Sequence, residues 1–380
     1  MPRGQFPHRT LLLALWLFPL AACATDAPAA TATPAAAAAP AAATAPVETA
    51  PPTEPAATAE PAPAERVLPG HTRFDLARAD IGAFVDRLSG KGFTRAAVFA
   101  VLAKAEPQPK IIEAMNRPAE KTLAWWEYRA RFLTNERIDA GARLWREHRE
   151  LLDAIAMERH VQPEYLLGII GVETYFGRIM GRYRVLDALA TLAFDYPARA
   201  EFFQRELEQF LLLTKSGELD PQVVLGSYAG AMGAAQFMPS SFQTYAVDES
   251  GTGHRDLWTD WADIFASVAN YLAQHGWEYG QPVLAEATLG TAPEPATPAS
   301  TTLNETLGAL RARGMQVTSL LDDATPCLTI AAPLSSGMSY RVGFHNFYVI
   351  TRYNRSPLYA MAVNDLAQAI SARVLAPDAP

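Results

Sequence analysis

Apolar residues recur at three- and four-residue spacing from about residue 74 to 281, a pattern that predicts a series of amphipathic helices. The segment 138–160 shows this spacing among many charges, which predicts one helix there. Further amphipathic helices are predicted over 199–213 and 263–275. The tail at 357–375 is predicted to be helical as well.

One predicted helix is apolar on most faces and is therefore expected in the core. Pro163 stands at its first turn, where proline is tolerated, and Gly177 beyond its end is a candidate C-cap. Glu173 falls at the C-terminal end, where burial and the helix dipole both disfavour a negative charge. We therefore expect Glu173 to stay protonated and able to give its proton to a glycosidic oxygen. By composition alone, a glutamate at a helix end is more often a solvated surface residue.

After about residue 282 the pattern changes to short segments of β character. A Pro/Ala/Thr-rich loop is predicted at 291–302, with strands at 327–331, 339–342 and 347–352. Cys327 lies in the first of these strands and is expected to be a small buried core residue rather than a reactive thiol.

The predicted fold class is mainly α (α+β). The sequence predicts a helical domain, a helical catalytic core, a small β-rich subdomain, and a return to the core with a C-terminal helix, at residues 67–140, 141–281, 282–342 and 343–375, respectively.

Residues 1–22 are predicted to be a bacterial lipoprotein signal peptide. Two arginines precede an apolar run that is too short to span a bilayer, and small residues then lead to Cys23. This pattern predicts cleavage before Cys23 and its acylation, while an ordinary signal peptide with a chance cysteine is the alternative. Ala24 replaces the aspartate that is typical of inner-membrane retention. The predicted location is therefore the periplasmic face of the outer membrane, through a lipid anchor.

The segment 23–66 consists almost wholly of Ala, Pro, Thr and Glu and is predicted to be a disordered tether. The 380-residue chain has a formal net charge of −8 and no basic tract, which argues against a nucleic-acid partner. Its two cysteines leave no intramolecular disulfide if Cys23 is acylated.

The segment 226–242 is rich in small residues around Met232 and Gln236. Small residues let a backbone approach a ligand closely, and a glutamine side chain offers a donor and an acceptor to a sugar. A contact between elements through small residues explains the same pattern, so this segment alone does not decide.

Several motifs follow one another in an order that resembles the membrane-bound lytic murein transglycosylase B family over about residues 74–370. They lie at 126–131, 171–178, 186–192, 226–242, 245–248, 267–271 and 347–354. The resemblance implies a lysozyme-like core flanked by a helical domain and a small β domain.

The resemblance also implies an activity on peptidoglycan glycan strands. The family cleaves the β-1,4 bond between N-acetylmuramic acid and N-acetylglucosamine, and the muramic C6 hydroxyl attacks C1 to leave a 1,6-anhydro end. Glu173 matches the family's catalytic carboxylate, as acid and then as base. With only one carboxylate, charge at C1 needs other help, for which the substrate's 2-acetamido group is suited.

The other site residues are likewise implied by the resemblance. Ser227 matches a serine that hydrogen-bonds the acid. The predicted lining of the sugar cleft consists of Tyr128, Met232, Gln236, Tyr353 and Asn354. Core packing or turn formation is the alternative role of each residue taken alone.

No cofactor is required for this chemistry, but the family often carries an EF-hand-like calcium loop after 245–248. Here the candidate ligands are Asp248, Ser250, Thr252, the His254 carbonyl and Asp263. Asp256 is an alternative source for the missing oxygen, because Thr259 stands where a bidentate glutamate would close the loop. The alternative is an Asp/Gly turn held by its own hydrogen bonds.

Other chemistries find little support in the sequence. No His-Glu-x-x-His, Gly-x-Ser-x-Gly or Gly-rich phosphate motif occurs. Two rival functions stay open: a hydrolytic muramidase of the same fold, and a non-catalytic wall-binding lipoprotein.

Overall fold

The computed structural model describes residues 73–116, 123–295 and 300–376. The helices are α1 (Ala79–Ser89), α2 (Arg95–Leu102), α3 (Pro109–Met115), α4 (Trp125–Phe132), α5 (Asn135–Glu147), α6 (Arg149–Arg159), α7 (Pro163–Thr174), α8 (Val185–Asp195), α9 (Ala200–Lys215), α10 (Pro239–Tyr245), α11 (Trp261–Gln274), α12 (Leu307–Ala312), α13 (His345–Tyr353) and α14 (Pro357–Leu375). The strands are β1 (Tyr183–Arg184), β2 (Leu225–Gly226), β3 (Leu284–Thr288), β4 (Glu305–Thr306), β5 (Gln316–Val317), β6 (Pro326–Leu334) and β7 (Gly337–Gly343). The predicted signal peptide, Cys23 and the tether lie outside the described residues.

The predicted fold class, mainly helical with a small late sheet, is confirmed. The sheet is antiparallel with strand order β4-β6-β7-β3-β5, and the β6–β7 hairpin pairs from Leu328 with Gly343 to Leu334 with Gly337. It has its own small apolar core, which includes Cys327. That thiol is free and fully buried, as predicted, and burial raises its pKa to about 11.

Helices α7 and α14 pack closely because glycines lie on the contact face of α7. A Cβ atom added to Gly168 would lie 2.7 Å from the Val363 carbonyl oxygen, and one added to Gly171 would lie 2.8 Å from Leu366 Cδ2. Both helices have the predicted starts, with Pro163 in the first turn of α7 and Pro357 in that of α14. This close packing determines which side chains of α14 reach the end of α7.

Two predicted elements are wrong. The segment 138–160 is two helices, α5 and α6, because the chain turns at His148, whose φ and ψ are −117° and 26°. The segment 347–352 is helical, as part of α13, although its β-branched and aromatic residues favour a strand. Four of its residues, Phe347, Val349, Ile350 and Thr351, are fully buried, and this set does not alternate as it would along a half-buried strand, so burial decides over propensity.

The main apolar core extends over the helices from Phe74 to Ile370. Within residues 73–116, 123–295 and 300–376, each helix is too short or too polar to cross a bilayer.

Candidate active site

Glu173 is the penultimate residue of α7, and its carboxyl group is held by α14. Tyr359 Oη donates a hydrogen bond of 2.6 Å to Glu173 Oε1. Tyr359 is only 2% exposed, whereas the Glu173 side chain is partly exposed. One carboxyl oxygen is therefore fixed by a buried donor while the residue as a whole remains accessible.

Two tyrosines near the acid keep their protons. Burial and then the negative charge of Glu173 raise the pKa of both Tyr353 and Tyr359 well above the ordinary value. Both hydroxyls therefore act as hydrogen-bond donors at neutral pH. A donor to a carboxylate stabilises the ionised form, so the Tyr359 contact opposes the effect of burial that the sequence predicts for Glu173.

The chain reverses sharply after α7. Tyr175, Phe176 and Gly177 all have positive φ, at 52°, 56° and 76°. Tyr175, and not the predicted Gly177, is the first left-handed residue and the C-cap. Left-handed backbone costs roughly 1–2 kcal/mol for a residue with a side chain. Phe176 offsets this cost because its ring is 8% exposed and fills the space over Gly141 and Gly171.

Two cations surround this turn. Arg137 of α5 donates to the Gly171 carbonyl at 3.1 Å, and its guanidinium lies 4.6 Å from the centre of the Tyr175 ring. Arg178 lies over the same ring at 4.8 Å. Positive charge at a helix C-terminus compensates the dipole, so the negative helix end is weaker here than the sequence of α7 alone predicts.

The small-residue segment is fixed beside Glu173 by two hydroxyl groups. Thr174 Oγ1 donates to the Ala234 carbonyl at 2.9 Å and accepts from Gly177 N at 3.0 Å. Tyr353 Oη donates to the adjacent Ala235 carbonyl at 2.6 Å. The residue that follows the acid therefore attaches this loop to the end of α7.

Glycines in and around the segment permit close contact between backbones. A Cβ atom on Gly226 would lie 2.2 Å from the Ala231 carbonyl oxygen, and one on Gly233 would lie 2.5 Å from the Leu257 carbonyl oxygen. The sequence leaves two roles open for these small residues, a close approach by a ligand and a contact between elements. In the structure their first role is to let the loop fold tightly on itself and on its neighbours.

The predicted residues of this segment take distinct positions. Ser227 Oγ accepts from Ala229 N at 3.3 Å and from Ala231 N at 3.0 Å, so it organises the turn, and its predicted contact with the acid stays a prediction. Gln236 has a φ of 51° and donates through Nε2 to the carbonyls of Met180 and Gly233.

Met232 is wholly buried, and its backbone exchanges both hydrogen bonds with Phe237, at 2.8 and 3.0 Å. Because no part of Met232 is exposed, its burial favours packing over the predicted contact with a sugar, which stays a prediction.

The remaining predicted residues come from α4 and from the junction of α13 with α14. Tyr128 is 2% exposed. It is the smallest of the causes that raise the pKa of Tyr359, after burial and the charge of Glu173, so it lies close to Tyr359. Asn354 Oδ1 accepts from Ser356 N at 3.2 Å and thereby shapes the junction. The structure thus brings together Glu173, Tyr128, Tyr353 and the Thr174-anchored loop, and it adds Tyr359 and Arg137.

The candidate calcium loop is held by its own hydrogen bonds. Asp248 accepts from Thr252 N at 2.9 Å and from Gly253 N at 2.8 Å. Desolvation acts to raise the pKa of Asp248, but its hydrogen bonds together outweigh that effect and lower the pKa. Asp263 is wholly buried and accepts from three backbone N–H groups, those of Glu249, Ser250 and Asp256. Within the described parts of the chain, no group of three His, Cys, Asp or Glu side chains is arranged to hold a metal ion. The loop geometry matches the Asp/Gly-turn alternative, and it leaves few carboxylate oxygens for a cation.

Comparison with known proteins identifies relatives of this chain and of its fold. The family described as Transglycosylase SLT domain matches residues 77–368. Membrane-bound lytic murein transglycosylase B of Escherichia coli strain K12 is 40% identical over 298 residues, which cover 76% of this chain and 81% of that protein.

Three solved structures agree. The soluble lytic transglycosylase SltB1 of Pseudomonas aeruginosa is 45% identical with a TM-score of 0.72, over 77% of this chain and 97% of that one. The Escherichia coli lytic transglycosylase Slt35, in complex with calcium, is 38% identical with a TM-score of 0.73, over 81% and 97%. SltB3 of Pseudomonas aeruginosa, in complex with NAG-NAM-pentapeptide, is 30% identical with a TM-score of 0.67, over 76% and 78%.

Proposed function

This chain belongs to the Transglycosylase SLT domain family and is a lytic transglycosylase of murein, and we propose that it forms 1,6-anhydromuramic ends with Glu173 as its single acid and base. The proposed cleavage is at the β-1,4 bond between N-acetylmuramic acid and N-acetylglucosamine. The observation that supports it is the partly exposed carboxyl group at the end of α7, held through one oxygen by Tyr359.

The reaction proceeds in two proton transfers. Glu173 first gives its proton to the glycosidic oxygen as the bond from that oxygen to C1 breaks, and the positive charge at C1 is shared with the substrate's 2-acetamido group. The ionised Glu173 then takes the proton of the C6 hydroxyl while O6 bonds to C1. The hydrogen bond from Tyr359 stabilises the carboxylate between these steps.

We assign the substrate contacts to the groups that converge on this carboxyl group. Tyr128, Tyr353 and Asn354 would line the cleft, with Gln236 and Ser227 on the loop that Thr174 anchors. Because Met232 is wholly buried, we propose a packing role for it in place of contact with a sugar.

We further propose that the chain is a lipoprotein on the periplasmic face of the outer membrane. The support is the signal-peptide pattern that ends before Cys23 and the membrane-bound relative from Escherichia coli. Acyl chains on Cys23 would hold the enzyme at the membrane, and the tether would let it reach the wall. A Cys23→Ala variant should move from the membrane fraction to the periplasm. If it stays in the outer membrane, the proposed anchor is wrong.

Calcium has no step in the proposed reaction. We propose at most a weak structural site, with Asp248, Ser250, Thr252 and the His254 carbonyl as ligands, because the Asp263 oxygens already accept three N–H bonds. Thermal unfolding with added calcium and with chelator tests this site. A midpoint that rises with calcium, and no longer does so in Asp248→Asn, is expected for a site, and equal midpoints exclude it.

The catalytic assignment is tested with Glu173→Gln against purified sacculi. We expect digestion to slow by at least about 100-fold because the proton donor is lost, while binding to the glycan persists. The matched control is Glu164→Gln, which removes another partly exposed glutamate from the first turn of the same helix. Digestion by Glu173→Gln at the rate of the control would exclude Glu173 as the catalytic acid.

A further inference from the structure

Arg352 and Arg355 flank the candidate cleft residues Tyr353 and Asn354 at the junction of α13 and α14. Both arginine side chains are half-buried, and the Nε atom of each is fully buried without a hydrogen-bond partner. Within residues 73–116, 123–295 and 300–376, neither guanidinium makes an ion pair with a carboxylate. Burying a charge without a counter-charge is costly, which suggests that an anion completes this site.

The local structure fixes Arg352 in place. Its guanidinium lies 4.2 Å from the centre of the Tyr348 ring, and its Nη2 donates to Thr351 Oγ1 at 3.0 Å. Its backbone carbonyl accepts from Tyr271 Oη at 2.7 Å. Burial and then the neighbouring positive charge of Arg355 are the causes that lower the pKa of Arg352. Two like charges are thus held side by side.

Two other partly buried arginines have acidic partners. Arg184 pairs with Asp187 at 2.7 Å, and Arg255 pairs with Glu218 at 3.0 Å. The pair at 352 and 355 differs because the charge that would balance it is not supplied by the described chain.

The two arginines and Glu173 act on the same tyrosine. Burial raises the pKa of Tyr271, both arginines act to lower it, and Glu173 acts to raise it, so each of these groups lies within electrostatic range of Tyr271. Between the two arginines in sequence, Tyr353 donates to the Ala235 carbonyl of the loop that Thr174 attaches to the end of α7. The arginines therefore flank a residue that contacts the loop beside Glu173.

We propose that Arg352 and Arg355 bind a carboxylate of the glycan substrate and thereby select muramic units over neutral sugars. This inference rests on the proposed function. The carboxylate has two sources, the lactyl group of a stripped muramic unit or the acidic residues of a peptide stem. A guanidinium binds either in a bidentate manner, which a lysine cannot reproduce.

The test measures binding calorimetrically in the Glu173→Gln background, so that substrate is not consumed. Three soluble murein oligomers are compared: with peptide stems, stripped to the lactyl carboxylate, and stripped with that carboxyl group converted to a neutral amide. Arg355→Gln, Arg352→Gln and Arg355→Lys are measured beside Arg149→Gln, which removes an exposed arginine of α6 that is distant in sequence.

We expect each Gln variant to weaken binding of a carboxylate-bearing oligomer by about tenfold, the scale of one charge-assisted hydrogen bond, and to leave the neutral oligomer unchanged. Arg355→Lys should recover only part of the loss, and Arg149→Gln should change nothing. A loss confined to the stem-bearing oligomer identifies the stem, and one on the stripped acid identifies the lactyl group.

Equal losses on all three oligomers, or no loss on any, would overturn the proposal. A folding defect would produce equal losses on all three oligomers, so a misfolded variant is not mistaken for support. Failure of the proposed function is seen separately, in the absence of anhydro ends from the enzyme with Glu173 intact.

Discussion

Replacing Tyr359 with phenylalanine removes one hydroxyl group and keeps the shape of a buried ring. The lost hydroxyl is the donor to Glu173 Oε1, at 2.6 Å. It stabilises the ionised carboxylate, so its removal favours the protonated acid. Since the first step needs the protonated form, the alkaline limb of the pH–rate profile should move to higher pH in Tyr359→Phe.

The size of the shift follows from the strength of the bond. A hydrogen bond to a charged group contributes roughly 1.5–3 kcal/mol, and one pH unit corresponds to about 1.4 kcal/mol. Because Glu173 is partly exposed, water replaces part of the lost bond, so we expect a shift near the lower end, about one pH unit.

The assay is the initial rate of release of soluble muropeptides from sacculi between mildly acidic and alkaline pH. The matched control is Tyr165→Phe. Tyr165 is 4% exposed at the same interface of α7 with α14, and its hydroxyl accepts from Gln368 at 3.1 Å instead of contacting the acid. An unchanged profile in Tyr359→Phe, or an equal shift in both variants, would refute the assigned role of the Tyr359 hydroxyl.

Three further predictions concern the stability of the fold around the site. Thr174→Val removes the hydroxyl that attaches the loop to α7, and denaturant unfolding should show a loss of about 1–3 kcal/mol together with lower activity. Gly181→Ala should cost more than Gly217→Ala in the same measurement: both have positive φ, but only at 181 would the new Cβ clash, at 2.0 Å from a carbonyl oxygen. Burial lowers the pKa of His275, so the folded protein should lose stability as the pH falls through about 6.5. The stability of His275→Gln should depend less on pH over the same range.

Each expectation has an outcome that contradicts it. A stable Thr174→Val enzyme with full activity would show that the loop is fixed by other contacts. Equal stabilities of the two glycine variants would mean that the predicted clash relaxes without cost. For His275 the sign of the pH dependence is fixed. Its pKa is lower in the folded protein than in the unfolded chain, so stability is intact above the unfolded pKa and is lost as the pH falls below it. A stability loss at low pH that is identical in wild type and His275→Gln would exclude the histidine as its cause.

Much of the fold could be predicted from the sequence. The boundaries of α14 and the start of α7 follow from Pro357 and Pro163 together with continuous helical spacing. The turn at His148 could not be seen, because the helical period continues on both sides of it. The strand predicted at 347–352 failed since burial against other helices, which a local pattern does not contain, outweighed β-propensity.

The site was predictable only where one segment carries the signal. Glu173 stands out by its position at the end of an apolar helix, whereas its partner Tyr359 is 186 residues away and is selected by the close packing of α7 with α14. Arg137 likewise reaches the end of α7 from another helix. Glycines such as Gly168 are the one local signal of that packing, because only a residue without Cβ fits there.

The central claim is tested most directly by the mass of the muramic ends released from purified murein. We expect 1,6-anhydro ends, each lighter by one water than a hydrolysed end, from the enzyme with Glu173 intact and at least about 100-fold fewer from Glu173→Gln. Reducing muramic ends from the intact enzyme would contradict the account and assign the site to hydrolysis.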